Sequence, residues 1–326
     1  MSLRLSLLGI AHVHAPSYLA CAAQIPEVEI VGIYDRDPDR AARFAEQHGV
    51  AVLPAPEVAV DLSDAVVIAS ENVFHRELAE LALAAGCHVL CEKPLATSLE
   101  DCDSMIASAA AANRVLMTAF PCPYSPAFQR LQQRHQSGEL GVLRAIATTN
   151  RGTCPHSWFT QKELSGGGAM IDHVVHVANL LDLLLGETPE RVHATVGNQM
   201  YQGETEDIAM LTLDYPDGLF VTLDSSWSRP SSYRTWGDVT MTLTYDHGVI
   251  EVDLFNQGLE RFSNSGKSHQ SVGTGSNLDL LVMREFVNAI TENRTPLTDG
   301  NAGRRAVAIA LDGYASLKEG QPVPAR

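Results

Sequence analysis

Short apolar runs at residues 3–8, 28–34, 65–68, 88–91 and 115–119 punctuate the first third of the chain. Each is too short for a helix and too apolar for a half-exposed strand, the pattern of parallel strands buried on both faces. Helix-like segments fill the gaps at 15–24, 38–48, 74–85 and 99–112. The second opens with Asp37-Pro38, a cap residue followed by proline at the first helical position, the third stops at Gly86, and the fourth follows Thr97-Ser98. This alternation predicts an α/β Rossmann-type domain, a doubly wound parallel sheet with right-handed crossovers.

Near residue 121 the pattern changes. Pro121, Pro123 and Pro126 interrupt the alternation and mark a boundary. A helix over 127–137 ends at Gly138, a strand follows over 142–150, and a long helix is expected over 168–185. From 191 to 255 the period is two, with turn dipeptides at Asp217-Gly218 and His247-Gly248. That reads as four or five antiparallel strands. Two helices, 278–291 and 302–317, close the chain on either side of Pro296. The expected division is a dinucleotide-binding domain over 1–121 and an α+β domain over 122–326, built on an open, mostly antiparallel sheet for substrate binding and oligomerisation. Its closing helix is free to pack back on the first domain.

Length, charge and cysteines narrow this picture. A chain of 326 residues buries enough surface to need no staple. With 23 Lys and Arg against 39 Asp and Glu, the net charge is −16, which disfavours nucleic acid or an anionic membrane surface as partner. No apolar run approaches the roughly 20 residues of a membrane span, so a soluble globular protein is expected. The six cysteines (21, 87, 91, 102, 122, 154) are irregularly spaced without a C-x-x-C. Met1-Ser2-Leu3 runs straight into the first apolar stretch. Reduced thiols, no presequence and a cytoplasmic location are expected.

The first strand delivers Gly9-Ile10-Ala11-His12-Val13-His14 into a helix, the position of a dinucleotide-binding turn, where pyrophosphate sits on the helix N-terminus. Only the first glycine of G-x-G-x-x-G is present; Ala11 and His14 hold the other two places. Asp35 ends the second strand, roughly 20 residues on, where an acid accepts hydrogen bonds from ribose hydroxyls and repels a 2′-phosphate. NAD is therefore expected, with Arg36 alongside keeping NADP open; the plainer alternative makes Asp35 a loop acid that merely caps the helix at Asp37-Pro38. His12 and His14 sit on alternate residues, as chelating pairs do, but such a loop more often uses them to hydrogen-bond or line a pocket, and no metal is expected.

Two further stretches carry a resemblance. One runs Ile68-Ala69-Ser70-Glu71-Asn72-Val73-Phe74-His75 and then Cys91-Glu92-Lys93-Pro94; the other is Gly166-Gly167-Gly168-Ala169-Met170-Ile171-Asp172-His173-Val174-Val175-His176. Together they resemble the Gfo/Idh/MocA family, the glucose–fructose oxidoreductase and inositol dehydrogenase group, over nearly the whole chain. The resemblance implies an NAD(P)-dependent oxidoreductase that moves a hydride between a secondary hydroxyl of a sugar or polyol and the nicotinamide. It implies that Lys93, Asp172 and His176 are catalytic. Gly9, Ala11, His12, Asp35, Arg36, Ser70, Asn72, His75, Glu92 and Lys93 would hold the cofactor, with Pro94 following Lys93, often through a cis peptide. The sequence departs from the family at Glu71, where proline is frequent, at Val174 and Asn179, and at Pro121-Cys122-Pro123-Tyr124, where an arginine is usual.

The residues support these roles independently. Asp172 and His176 are i and i+4 on one helix face. A neutral imidazole takes a proton from an alcohol near pH 7, and a lysine at a strand end stabilises developing alkoxide charge. A His173/His176/Asp172 metal set is disfavoured because adjacent helical residues point apart. Arg151, Trp158 and His173 are expected on the substrate side, the aromatic ring offering a flat face to a polyhydroxylated ligand; Trp158 packing under its loop is the bland alternative. Trp227 and Trp236 flank Arg229, Pro230 and Arg234, at a cleft edge or an oligomer contact. The open sheet predicts a homodimer or homotetramer. Two other functions fit the same fold: a glycosidase or lyase using NAD in a transient redox cycle, and a non-catalytic NAD-binding regulator.

Overall fold

The computed structural model describes residues 2–326 apart from 234, 267 and 274. The chain forms two compact units. One contains Met1–Pro121, Pro155–Gly167 and Asp279–Ala308; the other contains Cys122–Cys154, Gly168–Leu278 and Ile309–Arg326.

In the first unit, strands β1 (Leu3–Ile10), β2 (Val28–Tyr34), β3 (Ala65–Ala69), β4 (His88–Cys91) and β5 (Leu116–Thr118) form a parallel sheet ordered β2-β1-β3-β4-β5. The helices between them are α1 (Ala15–Ala22), α2 (Pro38–His48), α3 (Pro56–Asp61), α4 (His75–Ala84) and α5 (Leu99–Ala112). Every residue of β3 is buried, as is most of β1 and β4. Continuous apolar strands of this kind require cover on both faces, which the helices supply. Asp37 caps α2 by accepting from the amides of Asp39 and Arg40, both at 3.0 Å. The short α3 has no strong period in the sequence and was not anticipated.

The chain continues through α6 (Pro126–Ser137), β6 (Leu143–Gly152), α7 (Lys162–Ser165) and α8 (Ala169–Leu185). Strands β7 (Arg191–Gly197), β8 (Ile208–Asp214), β9 (Phe220–Ser226), β10 (Gly237–Tyr245) and β11 (Gly248–Asp253) follow. A hairpin of β12 (Gly258–Ser263) and β13 (Ser268–Gly273) precedes α9 (Leu278–Thr291), α10 (Gly300–Glu319) and the terminal β14 (Val323–Pro324). The second unit's main sheet is ordered β11-β10-β6-β9-β8-β7-β14 and is antiparallel except for the β6–β9 pair. Five of its strands fall in the stretch of period-two patterning. The β12–β13 hairpin falls beyond that stretch. Helix α10 belongs to the first unit up to Ala308 and to the second from Ile309.

Helix α8 lies under this sheet, and most of its residues are buried. Residues 162–185 in fact reach the length and apolarity of a membrane span, contrary to the expectation from the sequence. Most of the stretch is buried within the protein, which is how a helix that is apolar all round behaves in a core.

Candidate active site

The first unit presents a turn suited to an anion. Gly9 has φ +76°, and a Cβ there would come within 2.4 Å of the Ser70 Cβ, so only glycine lets β1 pass β3 at this point. The turn closes with the His12 amide donating to the Ala69 carbonyl at 2.9 Å and the Ala15 amide to the His12 carbonyl at 3.0 Å. Helix α1 begins with no side-chain cap and no acid in its first turn. The Ala15 amide is already bonded and Pro16 has none, so what the helix end offers is mainly its dipole, which favours negative charge. These features fit the pyrophosphate of a dinucleotide. Ala11 and His12 lie in the turn itself.

At the end of β2, the Asp35 side chain is fully buried. It accepts from the amides of Ile10 and Asp37, both at 2.8 Å, and from Arg40 Nε and Nη2 at 3.0 and 2.7 Å. The helix cap beside it is Asp37, not Asp35. Arg36 pairs with Glu77 and lies over the Phe74 ring, 3.9 Å from its centre.

Beyond β3, the Ser70 hydroxyl donates to the Glu71 carbonyl, and Asn72 Nδ2 donates to the Ser165 carbonyl at 2.8 Å. His75 is fully buried, with Nδ1 3.0 Å from the Pro94 carbonyl and Nε2 3.4 Å from that of Ser70. Burial pushes its pKa down to about 4, so the ring is neutral at physiological pH.

Glu92 follows β4 as a fully buried carboxylate. Oε2 accepts from the Lys93 amide at 2.9 Å, and Oε1 from the Tyr18 hydroxyl at 2.5 Å. His14 and His12 approach Oε1 through Nδ1 at 3.0 and 3.2 Å. Burial opposes the charge, but the two histidines more than offset it and hold the carboxyl well below its usual range. Burial also lowers His12, and Glu92 only partly restores it; for His14 burial is outweighed by Glu92 and Asp279, and its pKa rises. His12, His14 and Glu92 have donor atoms within 4.8 Å of one another, a set a metal ion could share. The hydrogen bonds to Tyr18 and Lys93 give the carboxylate a role without one. Lys93 is 3% exposed, and its bond to Pro94 is cis.

Trp158 also belongs to this unit. Its indole N–H donates to the Ala11 carbonyl at 3.1 Å and its ring stacks on Phe159, so it packs against the dinucleotide turn. His12 lies 5.3 Å from Phe159, centre to centre.

In the second unit, α8 carries Asp172, His173 and His176, all buried. Trp227 Nε1 donates to Asp172 Oδ2 at 3.0 Å, and His173 Nε2 lies 3.3 Å from the same oxygen. The neighbours Asp172 and His173 thus converge, against the expectation that adjacent helical side chains point apart. His173 is packed under Gly152, where a Cβ would come within 2.9 Å of its ring, and Trp236 meets it edge-on. Asn150 on β6 donates to the His173 carbonyl. Arg151, the next residue, projects to the other face of the sheet, where it pairs with Asp238 at 3.2 Å together with Arg229. It does not share the α8 face. Arg234 lies outside the described residues.

The sequence named Trp227 only as a residue of a cleft edge or oligomer contact and did not single out Glu206. Trp227 is a direct donor to Asp172, and Glu206 caps α8: its Oε1 accepts from the amides of Gly168 and Met170, both at 3.0 Å, and from the Tyr314 hydroxyl at 2.7 Å. A Cβ on Gly168 would lie 2.0 Å from the Glu206 carbonyl, which explains the last glycine of the run. These partners are distant in sequence and follow no motif.

The comparisons with known proteins agree with this geometry. A family model described as the oxidoreductase family with NAD-binding Rossmann fold matches residues 4–120. The GFO/IDH/MocA C-terminal domain matches residues 128–251. D-glucoside 3-dehydrogenase of Escherichia coli is 30% identical over 68% of this chain and 66% of its own length. 2,7-Anhydro-N-acetylneuraminate hydratase of the same organism is 29% identical over 60% of this chain and 53% of its own length. The chain thus spans less than two thirds of the length of these two relatives. GenD2 from gentamicin A biosynthesis, solved in complex with NAD, superposes with a TM-score of 0.90 at 23% identity, over 100% of this chain and 97% of its own. The chain belongs to the Gfo/Idh/MocA family of oxidoreductases, with an NAD-binding Rossmann domain at its N-terminal end.

Proposed function

We propose that this protein is an NAD-dependent dehydrogenase that oxidises one secondary hydroxyl of a sugar, sugar derivative or inositol-like polyol. The observation that carries the reading is Lys93, buried at the carboxyl end of β4 and fixed through its own amide by Glu92. Ligands of open parallel sheets bind outside the carboxyl ends of the strands.

A bound nicotinamide supplies the hydride acceptor. The Lys93 ammonium stabilises the alkoxide charge that develops as the hydroxyl loses its proton. His176 receives that proton, and Asp172, held by Trp227, keeps the hydroxyl in line. The carbinol loses a hydride and a proton and becomes a carbonyl.

Exposed Met210 and Phe220, on the sheet face away from α8, support self-association as a homodimer or homotetramer, which light scattering on the purified protein tests. Six buried cysteines suit the reducing cytoplasm.

The hydratase among the relatives favours a second reading, in which the carbinol is oxidised only transiently and then re-reduced. A screen of sugars, sugar acids and inositols, followed by NADH absorbance and product analysis, separates the two. Net NADH supports the dehydrogenase; product without NADH supports the transient cycle. Tight NAD binding with neither would overturn both in favour of a non-catalytic regulator.

A further inference from the structure

The acid at the end of β2 does not face a ligand directly. Asp35 Oδ1 is occupied by the Asp37 amide and by two donors of Arg40, and Oδ2 by the Ile10 amide. The group that meets solvent here is Arg40, whose side chain is about a quarter exposed. Its Nη2 donates at once to Asp35 and, at 3.0 Å, to Glu71 Oε1 just past β3. Among the described residues, the two hydrogens of Arg40 Nη1 have no partner. A second cation, Arg36, is engaged by Glu77 and Phe74. One guanidinium is therefore shared between two carboxylates.

We propose that the Asp35–Arg40–Glu71 clamp selects the adenosine ribose of NAD, and that Glu71 is the deciding residue. Arg40 Nη1 donates to a neutral ribose hydroxyl. A 2′-phosphate would instead meet a site with one negative charge in excess, in which Nη2 is already committed. Without Glu71 the charges of Asp35 and Arg40 cancel, one Nη2 hydrogen is released, and the planar guanidinium acquires the paired donors that suit a phosphate.

The inference rests on NAD binding by the first unit and not on turnover, so the test uses nucleotides alone. NADH and NADPH are titrated by fluorescence, at low ionic strength, into the wild-type protein, Glu71→Gln, Arg40→Gln and the double variant. The wild type binds NADH at least tenfold more tightly than NADPH. Glu71→Gln lowers the NADPH-to-NADH ratio of dissociation constants at least tenfold, and this gain shrinks in the Arg40→Gln background. Equal binding of both nucleotides by the wild type, an unchanged ratio in Glu71→Gln, or the same gain with and without Arg40 would each overturn the clamp. Failure of the wild type to bind either nucleotide would overturn the cofactor assignment beneath it, whereas absence of turnover with any sugar leaves the clamp standing.

Discussion

Glu92 and Asp172 are both buried acids beside a residue with a proposed catalytic role, yet they are wired differently. Glu92 gathers groups that carry or can take a proton, His12, His14 and Tyr18, and ties them to the backbone of Lys93. Asp172 is held by an indole N–H from Trp227, which never changes its charge, with His173 behind it. The first cluster sets the electrostatics around a lysine; the second fixes the direction of a carboxylate on a helix. The same residue type thus serves two purposes, and the difference lies in what surrounds it.

The largest expected effect comes from breaking the first cluster. Glu92→Ala leaves buried His12 and Tyr18, and partly exposed His14, without their shared acceptor, and chemical denaturation should show a loss of about 3–5 kcal/mol. A change within the scatter of surface substitutions would remove Glu92 as the organiser of this turn.

Lys93→Met keeps the length and burial of the side chain but removes its charge. Turnover should fall about a hundred- to thousandfold while NADH binding, read by fluorescence, persists. Loss of both together would make Lys93 a cofactor ligand only.

His75 distinguishes the cofactor unit by pH. Its folded pKa of about 4 lies below the ordinary 6.5, so between these values the unfolded chain holds the extra proton. The stability tied to neutral His75 is complete above pH 6.5 and is lost as pH falls toward 4, about 3 kcal/mol in total. Urea unfolding between pH 4 and 7 should show this slope in the wild type and a flatter one in His75→Gln.

The smallest effect is expected at Asp172. Trp227→Phe keeps the ring and deletes only the N–H that Asp172 accepts, so kcat/KM should drop about tenfold, with little change in NADH affinity. An equal drop in NADH affinity would blur the separation of the two clusters.

Much of this was legible in the chain. The run of buried strands in the first third, the Asp37-Pro38 cap and the Gly9 turn are local features, dictated by period, capping chemistry and backbone freedom, and the structure places them where the pattern does. The glycine run before Asp172 was visible too, but its reason was not: Gly168 is small because the Glu206 carbonyl lies against it, 38 residues downstream. A separation of 55 residues likewise hid Trp227 as a partner of Asp172, since spacing along a chain carries no signal for a contact closed by a separate strand. Trp158 stood near the glycine run in sequence, yet it packs on the first turn, because residues 155–167 belong to the cofactor unit.

By itself the sequence determined the parallel sheet, the change of architecture near Pro121, and the residue types from which the chemistry is built, because these depend on short-range periodicity and on side-chain identity. Only the tertiary structure decided what those residues face. It covered Asp35 with Arg40, drew Glu71 into the same clamp, collected two histidines and a tyrosine on Glu92, and turned Arg151 away from the α8 face. The physical reason is that buried charges and donors must find partners wherever the fold brings them, and those partners are chosen by packing, not by order along the chain.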